Sequence, residues 1–126
     1  EYTQSPEQTL ARNRGSCRDF AALFVDAVRS LGFGARIVSG YLYDAEQDAV
    51  GTTAGGSTHA WAEVLLPDSG WRGFDSTSGL MVGGDHIAVA VHRHPEAIPP
   101  IAGSFIGTAN AKPTLEVDVQ LTQLSP

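Results

Sequence analysis

The sequence predicts an α+β domain in which one helix with an apolar face packs on an antiparallel β-sheet. Three observations predict it. Phe20, Phe24, Ala27 and Leu31 recur at helical spacing, and Ala21, Leu23 and Val28 widen that stripe. After Gly34 the chain turns into short β-rich runs separated by Gly- and Pro-containing turns. A length of 126 residues fits one domain over 1–126, large enough to bury roughly two-thirds of its unfolded surface without disulfide staples.

The elements follow in order. Ser5-Pro6-Glu7 opens a short first helix: Pro6 suits the first helical position, where no N–H is needed, and Ser5 suits the cap before it. Asn13-Arg14-Gly15 turns the chain into the main helix, which begins at Cys17 and ends where Gly32 supplies a left-handed residue. Ala35–Tyr43 is the first strand. The polar, Gly-rich stretch from Asp44 to Ser57 reads as a mobile loop, expected to gate access to a cleft. Thr58–Leu66 and Trp71–Phe74 flank the turn Pro67-Asp68-Ser69-Gly70 and form an antiparallel hairpin. His86–His92 and Leu115–Leu121 alternate as two more strands, and Pro95–Pro113 between them is irregular.

Composition excludes several classes. Eight Lys and Arg stand against 14 Asp and Glu, a net charge of −6, and the basic residues are scattered. No footprint for nucleic acid is expected. No apolar run approaches the roughly 18 residues of a membrane span, so no membrane partner is expected either. A single unpaired cysteine suits a reducing compartment, and a cytoplasmic location is the expectation.

That cysteine carries the chemistry. Cys17 stands at the helix start in Gly15-Ser16-Cys17-Arg18-Asp19-Phe20, where unpaired N–H groups and the positive end of the dipole favour a thiolate. A thiol nucleophile needs a base for its proton and a third group to orient that base. His59 lies early in the second strand, sharing one face with Trp61 and Glu63. Asp75 ends the third strand. If the hairpin pairs across its short turn, His59 and Asp75 meet near one end of the sheet. In that arrangement Cys17 attacks, His59 holds the proton and returns it to the leaving amine, and Asp75 fixes the imidazole. The Cys17 backbone N–H is a natural oxyanion donor.

Four segments in order, Gly15-Ser16-Cys17-Arg18-Asp19-Phe20-Ala21, Leu31 to Tyr41, His59-Ala60-Trp61-Ala62-Glu63 and Trp71-Arg72-Gly73-Phe74-Asp75-Ser76-Thr77, resemble the transglutaminase-like core of bacterial cysteine hydrolases. The resemblance runs from about Ser5 to Gln120. It implies a papain-like α+β core with a Cys17–His59–Asp75 triad, and a longer chain in which an N-terminal β-domain precedes this one. Two departures stand out: Ser76 replaces the motif's Pro, and His92-Arg93-His94 replaces its Gly-Arg-Asp.

The function expected is hydrolysis of an amide or peptide bond through a thioester, with a peptide or amide-containing substrate as partner. The alternatives are a transglutaminase, in which an amine resolves the thioester, or a non-catalytic binding module on the same fold. Trp61, Glu63 and Tyr41 are candidates to line the substrate cleft. Asp19 reads as a helix cap and Arg36 as the partner of a carboxylate. His86, His92 and His94 read as surface residues. His92 and His94 lie two apart, but neither Cys-x-x-Cys nor His-Glu-x-x-His accompanies them, so no metal and no cofactor are expected.

Overall fold

Both helices begin on a serine whose side chain closes a capping box. In the computed structural model, which describes residues 3–43, 53–122 and 124, helix α1 spans Pro6–Arg12 and helix α2 spans Cys17–Ser30. Ser5 Oγ accepts the Gln8 N–H at 3.2 Å while Gln8 Oε1 accepts the Ser5 N–H at 3.0 Å. Ser16 and Asp19 repeat the exchange at α2, at 3.3 and 2.8 Å, so orphan donors of the first turn are satisfied. Asn13 closes α1 and Gly32 follows α2, both at positive φ (51° and 92°).

The strands are β1 (Gly34–Tyr43), β2 (Thr53–Leu66), β3 (Gly70–Asp75), β4 (Leu80–Met81), β5 (His86–His92) and β6 (Gln120–Thr122), with a 3₁₀ turn at Pro95–Ala97. They form one sheet in the order β4-β3-β2-β1-β5, every neighbouring pair antiparallel, and β6 pairs with the start of β2. The α+β expectation holds: α2 packs on the sheet with Val25 against Ala35, Ala62 and Val64. Phe24 and Phe74 extend that core, their ring centroids 5.8 Å apart. Val25 is buried, a placement contributing about 1.5–3 kcal/mol. Because strand residues alternate, Ala62, Val64 and Phe74 point toward α2, which turns His59, Trp61 and Asp75 to the opposite face.

Three expectations are corrected. The expected loop over Asp44–Ser57 is not irregular throughout. Thr53–Ser57 belongs to β2, where Ser57 pairs with Leu42 and Gly56 with Tyr43. Residues 44–52, on which the expected gate falls, lie outside the described residues. The strand expected over Leu115–Leu121 is confined to Gln120–Thr122. Leu115 is 73% exposed, so its alternation has no surface to bury against. Leu80–Met81, not anticipated as a strand, pairs with the end of β3.

Candidate active site

Cys17 is the first residue of α2 and half-buried. Asp19, two residues on, fixes this end of the helix. Its carboxylate accepts the Ser16 N–H and hydroxyl as well as the Gln4 backbone N–H (2.7 Å) and side-chain amide (2.9 Å). Arg18 turns the other way and donates to the carbonyls of Pro95 and Ile98. The helix start that carries the thiol is thereby tied on both sides.

His59 sits opposite Gly40 in the β1–β2 ladder, and its imidazole is the chief influence on the acidity of the Cys17 thiol. Its Nε2 lies 2.7 Å from Asp75 Oδ2, which leaves Nδ1 for the sulfur. Asp75 ends β3 and is 2% exposed. Its Oδ1 accepts the Thr77 N–H at 3.0 Å and the Ser78 N–H at 3.4 Å, in a turn closed by Gly79 N–H on the Asp75 carbonyl. The structure thus places His59 directly on Asp75, with Cys17 at the start of α2 as the group His59 acts on most strongly.

The electrostatics follow from these contacts. The His59 hydrogen bond holds the Cys17 thiol below its ordinary pKa; burial opposes it, and the backbone N–H groups of Ala60 and Arg18 reinforce it. The same bond raises His59, against burial and with help from Asp75. Burial pushes the Asp75 carboxyl up, but hydrogen bonds from His86, His59 and the Thr77 N–H outweigh it and hold the group ionised below the usual carboxylate range. Ion pairing of thiolate with imidazolium is the net tendency of the site.

His86 corrects another expectation. Read as a surface residue, it is only 10% exposed in its side chain and places Nε2 2.9 Å from the same Asp75 Oδ2. It reaches there because β5 lies beside β1, across the strand from β2. Trp61 fills the space between, 1% exposed, with its ring edge-on to His86 (5.1 Å, 81°) and tilted against His59 (6.2 Å). Gly40 lies in this gap, where a Cβ would overlap the Ile87 carbonyl and come within 2.9 Å of the Trp61 ring.

The residues expected to line a substrate cleft are placed differently. A cleft of about 650 Å³ opens at Cys17, walled by Gln4, Arg14, Ser16, Arg18 and Thr58. Trp61 is too buried to reach it and instead backs the two histidines. Glu63 pairs with Arg36 at 2.6 Å, and that guanidinium stacks on Trp71 at 4.0 Å, toward the hairpin end of the sheet. Tyr41 is half-buried beside a small cavity that shares Thr58 and Pro100 with the cleft. His92 and His94 are exposed. Ser76, where the resembled motif has Pro, keeps its hydroxyl buried without a partner among the described residues.

His59, Asp75 and His86 offer three ligand atoms within 4.8 Å of one another. A tetrahedral zinc would spread such atoms to about 3.3 Å from each other. The observed 2.7 and 2.9 Å are hydrogen-bond distances.

The fold is an α+β core in which a thiol at a helix start stands beside a buried His59–Asp75–His86 cluster. The sequence profile of the transglutaminase-like superfamily matches residues 1–76, and the chain belongs to that superfamily. An uncharacterized protein of Mycobacterium leprae is 35% identical over 116 residues, covering 92% of this chain and 40% of that protein. An uncharacterized protein of Mycobacterium tuberculosis is 32% identical over 119 residues, covering 90% of this chain and 38% of its own length. The Bacillus subtilis uncharacterized protein YebA is 32% identical over 72 residues, 52% of this chain and 10% of that protein. The chain therefore spans about two-fifths of the mycobacterial relatives it matches. No solved structure matches it. Among the described residues, no helix is long and apolar enough to cross a membrane.

Proposed function

We propose that this domain is a cysteine-dependent hydrolase of amide or peptide bonds that works through a thioester on Cys17. One observation supports the reading: His59, the chief influence lowering the pKa of a thiol at a helix start, rests its Nε2 2.7 Å from a buried carboxylate. In this reading the Cys17 thiolate attacks the amide carbon from the cleft wall. The Cys17 backbone N–H, with no acceptor among the described residues, faces the developing oxyanion. Collapse breaks the C–N bond, and His59 Nδ1 gives its proton to the departing amine. His59 then takes a proton from a water that attacks the thioester, releasing a carboxylic acid and restoring the thiolate. Asp75 keeps the imidazole in the tautomer that exposes Nδ1 to sulfur.

The test is the rate of Cys17 alkylation by iodoacetamide against pH, in the wild type and in His59→Ala, followed by acyl transfer. Cys17 is the sole cysteine, so total label is site label. Fast alkylation well below pH 7 that is lost in His59→Ala is expected, because a free thiol reacts only near pH 8.5. A burst of p-nitrophenol from p-nitrophenyl acetate, with the acetyl group on Cys17 by mass spectrometry, is expected next. Adding an amine then separates hydrolysis from transamidation by the product formed. A rate rising only near pH 8.5 in both proteins, with no acyl adduct, would refute the proposal.

A further inference from the structure

Asp75 Oδ2 lies within hydrogen-bond distance of two imidazoles, and of the two only His59 acts on the acidity of the thiol. His86 is the other. It lies 11 residues beyond Asp75 (86 − 75) and outside the stretch matched by the superfamily profile, 1–76. Its ring is fixed on every side. Nε2 meets Asp75 Oδ2 at 2.9 Å, the Trp61 ring stands edge-on at 5.1 Å, and the Gly83 N–H reaches Nδ1 at 3.4 Å.

Those contacts settle which nitrogen donates. An N–H directed at Nδ1 makes that nitrogen an acceptor, so the neutral ring carries its hydrogen on Nε2 and points it at Asp75. His59 also presents Nε2 to Asp75. Both rings therefore donate to one oxygen, while backbone N–H groups of Thr77 and Ser78 serve the other. A carboxylate with four donors and 2% exposure stays ionised where a less supported one would protonate. We propose that His86 is a positioning residue of the Cys17 site: its Nε2–H holds Asp75 ionised and aimed, so that Asp75 in turn stabilises the His59 imidazolium and the Cys17 thiolate. The inference rests on the reading of Cys17 as a nucleophile.

The other charged groups near this chain are few. His59 on β2 and His86 on β5 face Asp75. Cys17 on α2 faces His59, with Arg18 beside it; Arg18 also senses Glu96 and Asp19. Asp85 adjoins His86 in sequence. Among the described residues, His59 is the one other side chain hydrogen-bonded to Asp75 Oδ2, so substitution at 86 removes one donor from that oxygen without replacing Cys17 or His59.

The experiment compares His86→Gln with His86→Leu. Glutamine places an amide N–H close to where Nε2–H stands and does not titrate; leucine fills the space without a donor. Cys17 alkylation by iodoacetamide is followed from pH 5 to 9, with thermal melting alongside. His86→Leu is expected to react about ten-fold more slowly at pH 6 and to converge on the wild type near pH 9, as loss of one hydrogen bond to a charged group implies. His86→Gln is expected to recover most of that rate. Long-range ¹H–¹⁵N correlations in the wild type are expected to show the Nε2–H tautomer at His86, a readout that survives even if a variant fails to fold.

A His86→Leu profile superimposed on the wild type, or a Gln variant displaced as far as Leu, overturns the inference, as does an Nδ1–H tautomer at His86. A merely structural role would lower the melting temperature and leave the pH profile in place. Failure of the underlying reading is distinct: the wild type itself would then react only as a free thiol.

Discussion

Asp75→Asn is the sharpest probe of the site, because it preserves shape and inverts hydrogen-bonding sense. Oδ1 accepts two backbone N–H groups, a role that the asparagine carbonyl retains. The amide nitrogen then occupies the place of Oδ2, facing the Nε2 of His59 at 2.7 Å and of His86 at 2.9 Å. Donor meets donor. His59 escapes by moving its hydrogen to Nδ1, which turns an N–H toward Cys17 and leaves no lone pair to take the thiol proton. It also loses a charge-assisted hydrogen bond worth about 1.5–3 kcal/mol, or roughly 10- to 100-fold in an equilibrium. Iodoacetamide alkylation of Cys17 at pH 6 is therefore expected to fall 10- to 100-fold in Asp75→Asn, while the rate at pH 9 stays within a few-fold of wild type. Label incorporation by intact mass gives both numbers. An Asp75→Asn profile that overlays the wild type would refute the argument that the carboxylate poises the pair.

Two further outcomes are expected. Gly40→Ala, which drives a methyl into the Ile87 carbonyl and the Trp61 ring, should destabilise the domain by about 1–3 kcal/mol in urea titrations and displace Trp61 from His86; wild-type stability in Gly40→Ala would show that the gap is not needed. Asp75 has its pKa lowered in the folded state, so its contribution to stability is present above the ordinary carboxylate range and is lost as pH falls through the folded value. Asp19, lowered by its bonds to Gln4 and Ser16 against the effect of burial, acts in the same direction. Urea midpoints measured at pH 6, 4.5 and 3 should drop most over the last interval, and Asp75→Asn should flatten that drop. A midpoint that rises on acidification would contradict the sign.

Much of this fold is written locally, and what is not has a common cause. Helix α2 is legible from its stripe, its Ser16–Asp19 box and Gly32, each a short-range device. The β2–β3 hairpin is legible because Pro67–Gly70 fixes which strands neighbour each other, and His59 and Asp75 come with it. The order β2-β1-β5 is different, since no tight turn joins β5 to β1 and their pairing depends on the assembled sheet. His86 was missed for that reason. His86 opens β5, and nothing in the spacing says that this strand will lie across β1 from His59. The one available signal was Gly40, a residue with no side chain in the middle of a strand, which marks close approach by a neighbour. Leu115–Leu121 fails the opposite way: alternation is present, but the exposed Leu115 and Val117 find no layer to cover them.

The same long-range pairing bears on how the site carries charge. A carboxylate buried to 2% would carry a desolvation cost of several kcal/mol if left alone. Removing it from water is sustainable only with its lone pairs occupied. One imidazole and two backbone N–H groups leave Oδ2 with a single partner, and that partner is the ring whose proton moves during the proposed reaction. When His59 gives its proton to a leaving group, its bond to Asp75 weakens from an imidazolium contact to a neutral one. A second, stationary N–H on the same oxygen keeps Asp75 in place through that change. Trp61 packs against both rings, and Gly40 allows Trp61 to lie where it does. On this argument the β1–β5 register is part of the chemistry: shifting β5 by one residue would turn His86 to the other face of the sheet, leaving the fold nearly intact and the carboxylate short of a donor.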